Sequence, residues 1–252
     1  MSVPQNLMNI TQIWLSTAEK DSRPELSESI KDSMASVADS FAEVYPDYDY
    51  KFYDNEAAEN FLKTKYESKV FDAYKALRPL CYRCDLLRYC ILFKQGGWYV
   101  DCGVTWVQPV KLPDHVELLA FRDIGRYTRN SWSCQGAVIY AKPGHPALAR
   151  AIENVLDNVE NNYYGMTPLC PTGPSLWGRS IAETAVQNHK GLFFGDCTEL
   201  TPLYPDKNKC FILPDGTLVA ESKRANGGDL TALGAKDTNN YNEFWHSRQV
   251  YA

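Results

Sequence analysis

Residues 85–101 constrain the fold of this chain more than any other segment: a helical run, a Gly-Gly pair, a short strand and an acid. Asp85 and Arg88 are three residues apart, so a helix places them on one face. The Gly-Gly pair at 96–97 can end that helix, and the bulky residues after it are typical of a strand. Asp101 follows where the strand should end. Because ligands of open α/β sheets collect at the carboxyl ends of strands, the segment predicts a site with two carboxylates and a guanidinium.

Helical and strand patterns alternate along the rest of the chain. Apolar residues recur at helical spacing over 24–44, and further helices are predicted at 54–66, after Pro146 and after Pro174. Strand candidates lie at 48–52, 117–121, 135–140 and 192–194. This alternation predicts an α/β fold, a mostly parallel sheet flanked by helices.

Composition narrows the classes of function. Of the 252 residues, 44% are hydrophobic, which is enough for a substantial core, and the net charge is −5. A negative chain without a basic run argues against a nucleic-acid-binding protein. The N-terminus lacks the apolar run of a secretory signal, and no stretch of about 20 apolar residues could span a membrane. We therefore expect a cytoplasmic protein with eight reduced cysteines, with or without peripheral contact with the inner face of the membrane.

The central segment resembles the DXD-containing sugar transferases, which include fungal mannosyltransferases, bacterial capsule and lipopolysaccharide glycosyltransferases and, more distantly, glucosylating toxin domains. The residues that match the motif are Asp85, Arg88, Gly96, Gly97, Tyr99 and Asp101. Gly103 stands where the second acid of the DXD motif is expected. Weaker similarities at 10–15, 45–54, 142–146, 172–174 and 240–245 extend the resemblance over most of the chain.

The resemblance implies a single GT-A glycosyltransferase domain over residues 1–252. A nucleotide-sugar-binding half would cover about 1–105, an acceptor-binding half about 106–225, and a C-terminal lid about 226–252. The implied activity is sugar transfer, with retention of the anomeric configuration, from a UDP- or GDP-sugar to a saccharide or lipid-linked saccharide in bacterial capsule or O-antigen synthesis. Two alternatives stay open: a toxin-like enzyme that modifies a protein, and a catalytically degenerate sugar-nucleotide-binding protein.

The resemblance also assigns roles to individual residues. The predicted catalytic residues are Asp101, Arg88 and Gln135, and the predicted donor-binding residues are Trp14, Asp85, Arg88, Tyr99, Asp101 and Trp245. Trp14 would stack on the nucleobase, and Trp245 would belong to the lid that excludes water from the donor. Each role has a plainer alternative, because an Asp–Arg pair can simply stabilise a helix and a tryptophan can simply fill a core.

A divalent cation, Mn²⁺ or Mg²⁺, is implied by the family, with Asp101 as its ligand. Since Gly103 supplies no carboxylate, three arrangements stay open. Glu243 or His246 could complete the metal site. The diphosphate and water could supply the remaining oxygens. Alternatively, arginine and lysine side chains could bind the phosphates without a metal.

Overall fold

The computed structural model describes residues 9–16, 28–45, 47–187, 189–199, 209–222 and 241–252. In chain order its elements are β1 (Asn9–Ile13), α1 (Glu28–Val44), β2 (Asp49–Tyr53), α2 (Asn55–Lys65), α3 (Ser68–Ala76), α4 (Leu80–Gln95), β3 (Gly97–Val100), β4 (Val104–Trp106), β5 (Leu118–Arg122), α5 (Gly125–Thr128), β6 (Cys134–Ala141), α6 (Pro146–Glu160), α7 (Pro174–Ala185), β7 (Leu192–Glu199), β8 (Lys209–Ile212), β9 (Leu218–Ser222) and α8 (Tyr241–His246). No helix in these ranges is long and apolar enough to cross a membrane.

The strands form one nine-stranded sheet in the order β2-β1-β3-β6-β5-β7-β8-β9-β4. The α/β class is confirmed: helices flank the sheet, and the parallel pairs are β1–β2 and β1–β3 at one end and β5–β7 in the centre. The described pairings of β6, β8, β9 and β4 are otherwise antiparallel. Strands β8 and β9 are joined by residues 213–217 alone, and a parallel pair would need a crossover of a dozen or more residues.

The Gly-Gly pair at 96–97 ends α4 and forms the predicted turn into β3. Gly96 follows α4 with a φ of 64°, and its N–H donates to the Leu92 carbonyl. Gly97 has a φ of 92°, and a Cβ there would lie 2.2 Å from the Asn9 carbonyl oxygen. Both positions therefore require glycine, one for backbone conformation and the other also for close contact with β1.

Two hydrophobic clusters cover the two faces of the sheet. One contains the buried faces of α4, α6 and α7, and the other packs α1 against the sheet around Trp98. The Trp98 ring contacts Phe41, Trp106 and Tyr140 at centroid distances of 5.3 to 5.6 Å. Helix α4 lies beneath the sheet with most of its residues buried, and its charged residues Asp85 and Arg88 face protein rather than water.

The polar residues converge on one edge of the sheet. Strands β1, β3 and β5 run in the same direction, and β6 runs against β3 and β5. The carboxyl ends of β1, β3 and β5 therefore meet the start of β6. Trp14, Asp101, Asp123 and Gln135 lie at this edge.

Candidate active site

An arginine held between two carboxylates forms the centre of the site. On α4, the Arg88 Nη2 atom lies 3.2 Å from Asp85 Oδ1, as expected for side chains three residues apart on one helix face. The Arg88 Nη1 atom lies 3.3 Å from Asp101 Oδ1, just beyond β3. The Asp85 and Arg88 side chains are 13% and 7% exposed, whereas Asp101 is 40% exposed. The three residues predicted from the sequence thus form one cluster, closed at its base and open at Asp101.

Backbone groups and an aromatic ring fix the Arg88 guanidinium. Its Nε donates to the Cys84 carbonyl at 3.2 Å, and its Nη1 donates to the Gly136 carbonyl in β6. A Cβ at Gly136 would lie 3.0 Å from Arg88 Nη1, so glycine there makes room for the guanidinium. The Tyr99 ring lies under the guanidinium, 4.4 Å from its carbon. The Arg88 guanidinium is therefore fixed by protein groups and is almost fully buried.

Tyr99 supports the cluster from inside the core. Its side chain is buried, and its hydroxyl donates to Asp101 Oδ1 at 2.6 Å. From the sequence, Tyr99 is predicted to bind the donor. The structure places it beneath Asp101 and Arg88, where it sets the orientation of both.

Asp85 lies deepest in the cluster. Burial raises the pKa of its carboxyl from 3.8 to about 6, against the lowering effects of Arg88 and of a hydrogen bond from Thr172. The Thr172 Oγ1 atom donates to Asp85 Oδ2 at 2.8 Å. A Cβ at Gly173 would lie 3.5 Å from that oxygen. The Thr-Gly-Pro similarity at 172–174 was the available signal for this contact, and its hydroxyl was not predicted as part of the site.

Gln135 lies near the start of β6 and is paired with Asp123, a carboxylate that was not predicted as part of the site. Its Nε2 donates to Asp123 Oδ1 at 2.9 Å, and the Ile124 N–H donates to the same oxygen at 2.8 Å. Burial raises the pKa of Asp123. Two residues after Gln135, the Ala137 carbonyl accepts from the Asp101 N–H at 2.8 Å. The pair therefore continues the polar edge beyond Asp101, and Asp123 fixes which way the amide points.

Trp14 follows β1 and is partly buried. Its side chain packs against the buried pair Ile30 and Cys102, beside the turn that follows Asp101. Its backbone N–H donates to the Tyr53 carbonyl at 2.9 Å. The structure thus places Trp14 at the correct edge with one side packed against protein. Stacking on a nucleobase stays a prediction for the other side.

Trp245 is fastened to the loop that follows α6. Its indole N–H donates to the Tyr164 carbonyl at 2.8 Å, and the Arg248 guanidinium lies 4.5 Å from the Tyr164 ring and 5.3 Å from the Trp245 ring. These contacts give Trp245 a packing role. The donor contact predicted for it stays a prediction.

The segment 241–252 is attached to the rest of the protein at both of its ends. After α8, the Val250 carbonyl accepts from the Arg78 N–H at 2.9 Å, and the Ala252 N–H donates to the Ala76 carbonyl at 2.8 Å. The Tyr241 ring at the start of α8 lies 5.9 Å from the Tyr82 ring. Burial raises the pKa of the Tyr241 phenol, and the carboxyl groups of Asp85 and Asp123 act in the same direction. The phenol of Tyr241 therefore lies within electrostatic range of Asp85 and Asp123. Residues 226–240 of the predicted lid lie outside the described residues.

Of the two carboxylates in the cluster, Asp101 is the more exposed and therefore the better placed to bind a metal ion. Among the described residues, no group of three or more His, Cys, Asp or Glu side chains is placed to hold a metal. Glu243 and His246 are both exposed on α8, and a metal contact of either residue together with Asp101 stays a prediction. Asp101 itself fits a hard cation, because it is a half-exposed carboxylate at a strand end. Gly103 lies in the turn after it and does not have a positive φ.

The chain is similar in sequence to known glycosyltransferases. Residues 31–121 match the model of the glycosyltransferase sugar-binding region containing the DXD motif. The chain is 26% identical over 208 residues to an uncharacterized glycosyltransferase of Acanthamoeba polyphaga mimivirus, covering 79% of this chain and 75% of the viral protein. It is 27% identical over 155 residues to inositol phosphoceramide mannosyltransferase 3 of Schizosaccharomyces pombe, covering 58% of this chain and 41% of the yeast protein.

Two solved structures are also similar at low identity. The PaToxG glycosyltransferase has a TM-score of 0.49 and 16% identity, with 73% of this chain and 72% of that chain covered. The UDP-bound glycosyltransferase domain from the YGT toxin has a TM-score of 0.42 and 11% identity, with 64% and 55% covered. The matched segment 31–121 includes Asp85, Arg88 and Asp101 but ends before Gln135.

Proposed function

We propose that this chain is a glycosyltransferase that transfers a hexose from a UDP- or GDP-sugar to a saccharide. Its residues 31–121 match the glycosyltransferase sugar-binding region containing the DXD motif, and it is 26% identical to a viral glycosyltransferase. The observation that carries this proposal is the cluster of Asp85, Arg88 and Asp101. It places a fixed guanidinium between two carboxylates at the carboxyl end of β3, where ligands of such sheets bind.

The three residues of the cluster differ in exposure and in charge, and we infer a different role for each. Arg88 is 7% exposed and already engaged by two carboxylates and two carbonyls. It therefore acts as a positioning residue rather than as a direct clamp on phosphate. Asp101 opens to solvent and Asp85 lies behind it. Since the cluster carries two acids and one base, it attracts cations and repels a free diphosphate.

This balance of charge favours a divalent cation in the working enzyme. Asp101 would hold Mn²⁺ or Mg²⁺, and diphosphate oxygens and water would supply the other ligands, as is common for Mg²⁺. Bound there, the ion would neutralise the charge that develops on the leaving diphosphate. Asp85 would accept hydrogen bonds from donor hydroxyl groups, and the Gln135 amide would lie next to Asp101 at the same edge.

The acceptor and the setting belong to the same proposal. We infer a saccharide or lipid-linked saccharide acceptor in surface polysaccharide synthesis, such as capsule or O-antigen, with retention of configuration at the transferred sugar. The name of the Schizosaccharomyces pombe relative, an inositol phosphoceramide mannosyltransferase, makes mannose and a glycolipid acceptor the first to test. A cytoplasmic location, with or without peripheral membrane contact, would suit a lipid-linked acceptor, and fractionation of producing cells tests it.

A screen for donor hydrolysis tests the proposed function. The chain is incubated with a panel of UDP- and GDP-sugars and Mn²⁺, and release of nucleoside diphosphate is measured. We expect slow release from one donor, and faster release when a suitable saccharide acceptor is added. Asp196→Ala, at an exposed carboxylate in the same sheet, is the matched control for Asp101→Ala.

The results separate the alternatives. Donor turnover that disappears in Asp101→Ala but persists in Asp196→Ala supports the proposal. Thermal stabilisation by a nucleotide sugar without any turnover would favour the degenerate binding protein instead. Transfer to a protein but to no saccharide would favour the toxin-like alternative. Neither binding nor turnover with any donor would overturn the assignment of the site.

A further inference from the structure

A large aromatic side chain is held in solvent beside the site. Trp132 is 49% exposed, in the loop 129–133 that leads into β6. The Asn130 side chain organises this loop. Its Nδ2 donates to the Thr128 carbonyl at 3.1 Å and to Ser175 Oγ at 3.2 Å. Its Oδ1 accepts from the Ser133 N–H at 2.8 Å and from Ser133 Oγ at 2.7 Å. The loop is therefore preorganised around the exposed indole.

The backbone of Trp132 is pressed against helix α7. A Cβ at Gly178 would lie 1.8 Å from the Trp132 carbonyl oxygen and 2.9 Å from the Ser133 Cα. Glycine at 178 is thus what lets the loop and the helix approach so closely. With its backbone held there, the indole stays at the surface. A rigid aromatic side chain presented to water can bind a ligand at little cost in conformational entropy.

The loop is joined to the active site from two sides. The Ser133 carbonyl accepts from the Asp123 N–H at 2.8 Å, which connects the loop to the Asp123–Gln135 pair. The Ser133 and Ser175 hydroxyls lie 3.1 Å apart. Ser175 lies two residues after Gly173. Both Gly173 and Thr172 contact the Asp85 carboxylate. The loop that carries Trp132 is therefore bonded directly to the segments that hold Asp85 and Gln135, and its exposed indole lies at the start of the same strand, β6.

We propose that Trp132 is the platform of an acceptor subsite, on which a pyranose ring of the acceptor saccharide stacks. The face of an aromatic ring is electron-rich, and one face of a pyranose presents C–H groups with partial positive charge. The two surfaces attract each other and exclude water. This inference rests on the proposed function, because it names the kind of acceptor that the same site takes.

Two variants and one control test the subsite. Trp132→Ala removes the platform, and Trp132→Phe keeps an aromatic face. Phe52→Ala is the control, because Phe52 is 38% exposed in β2, and β1 and β3 separate β2 from β6. Transfer to a trisaccharide and donor hydrolysis are both measured at subsaturating acceptor. Quenching of tryptophan fluorescence by mannan-, glucan- and galactan-derived trisaccharides is measured in parallel.

We expect Trp132→Ala to raise the acceptor KM about tenfold, so that the ratio of transfer to hydrolysis falls by the same factor. Trp132→Phe should recover most of that ratio but lose the trisaccharide-dependent quenching, and Phe52→Ala should behave as the wild type. An unchanged acceptor KM in Trp132→Ala would overturn the subsite. So would a parallel fall in transfer and hydrolysis, or a wild type in which none of the trisaccharides quenches fluorescence. If the wild type itself shows no donor hydrolysis, that result would instead count against the proposed function.

Discussion

Two arginine–carboxylate arrangements near one sheet edge use the same chemistry in opposite environments. Arg122 and Asp196, on the neighbouring strands β5 and β7, form two contacts of 2.7 and 2.8 Å with side chains 60% and 52% exposed. Arg88 contacts Asp85 and Asp101 at longer distances, 3.2 and 3.3 Å, with its own side chain 7% exposed. The shorter and better paired contact is the one in water. Distance alone therefore does not identify the functional pair.

The difference is one of desolvation. An exposed ion pair contributes about 0 to 1 kcal/mol, because water already solvates both partners. A buried charge has lost its water and depends on the protein for every compensating contact. Arg88 obtains those contacts from two carboxylates, two carbonyls and the Tyr99 ring. The buried arrangement is a fixed electrostatic site, and the exposed one is a surface contact.

The largest expected effect is that of Arg88→Ala. It leaves Asp85 buried without its cation, so we expect a loss of about 3–5 kcal/mol in the free energy of unfolding and loss of transferase activity. Arg122→Ala, the matched surface variant, should cost at most about 1 kcal/mol. Urea denaturation and kcat/KM for the donor measure both variants.

Arg88→Lys sharpens this test. A lysine ammonium cannot contact Asp85, Asp101 and two carbonyls in the planar geometry of a guanidinium. We therefore expect this variant to remain far less active than the wild type. Full activity in Arg88→Lys, or equal losses of stability in Arg88→Ala and Arg122→Ala, would contradict the contrast between buried and exposed pairs.

Asp101 is expected to separate activity from stability. Asp101→Asn keeps an acceptor for the Tyr99 hydroxyl but removes the charge, so kcat/KM should fall about 10²–10³-fold with little change in the unfolding temperature. Asp101→Ala should lose similar activity and also about 1–3 kcal/mol of stability, because the buried Tyr99 hydroxyl loses its acceptor. Steady-state kinetics and thermal melts measure the two effects. A variant Asp101→Asn with most of the wild-type kcat/KM would show that the open end of the cluster is not the site.

Gly103→Asp should improve metal use about tenfold. The variant restores a second carboxylate two residues after Asp101, and Gly103 does not have the positive φ at which an aspartate would be strained. We expect half-maximal activity at about one tenth of the wild-type Mn²⁺ concentration, an effect typical of changes around a metal site. Full wild-type activity in excess EDTA would contradict metal use altogether.

The smallest expected effect is a pH dependence that belongs to Asp85. Because burial raises the pKa of this carboxyl to about 6 in the folded chain, the folded state holds its proton more tightly than the unfolded state does. The associated stability is present in full below about pH 4 and is lost as the pH rises through about 6. Relative to Asp85→Asn, the wild type should therefore gain a few degrees in melting temperature between pH 7.5 and 4.5. Asp196→Asn is the exposed control, and a pH-independent difference between wild type and Asp85→Asn would contradict the prediction.

Local signals in the sequence were sufficient for several features. The spacing of Asp85 and Arg88, the Gly-Gly pair at 96–97 and the acid at 101 predicted a helix, a turn, a strand and a cluster, and each lies where predicted. The helix predicted at 54–66 is α2, and Asp54 caps it, since its Oδ1 accepts from the Ala57 N–H at 2.9 Å. These features depend on interactions between residues close together in the chain, so a short stretch of sequence is enough to predict them.

Only the tertiary structure decided the rest. Thr172 reaches Asp85 across 87 residues, Gly136 reaches Arg88 across 48, and α3, β8 and β9 had no clear pattern of their own. The role of Trp245, the pairing of Asp123 with Gln135 and the exposure of Trp132 follow from which segments pack together. The sequence by itself determined which residues could carry charge at a strand end. Packing determined which of those charges lost their water, and desolvation is what separates the Arg88 cluster from the Arg122 pair.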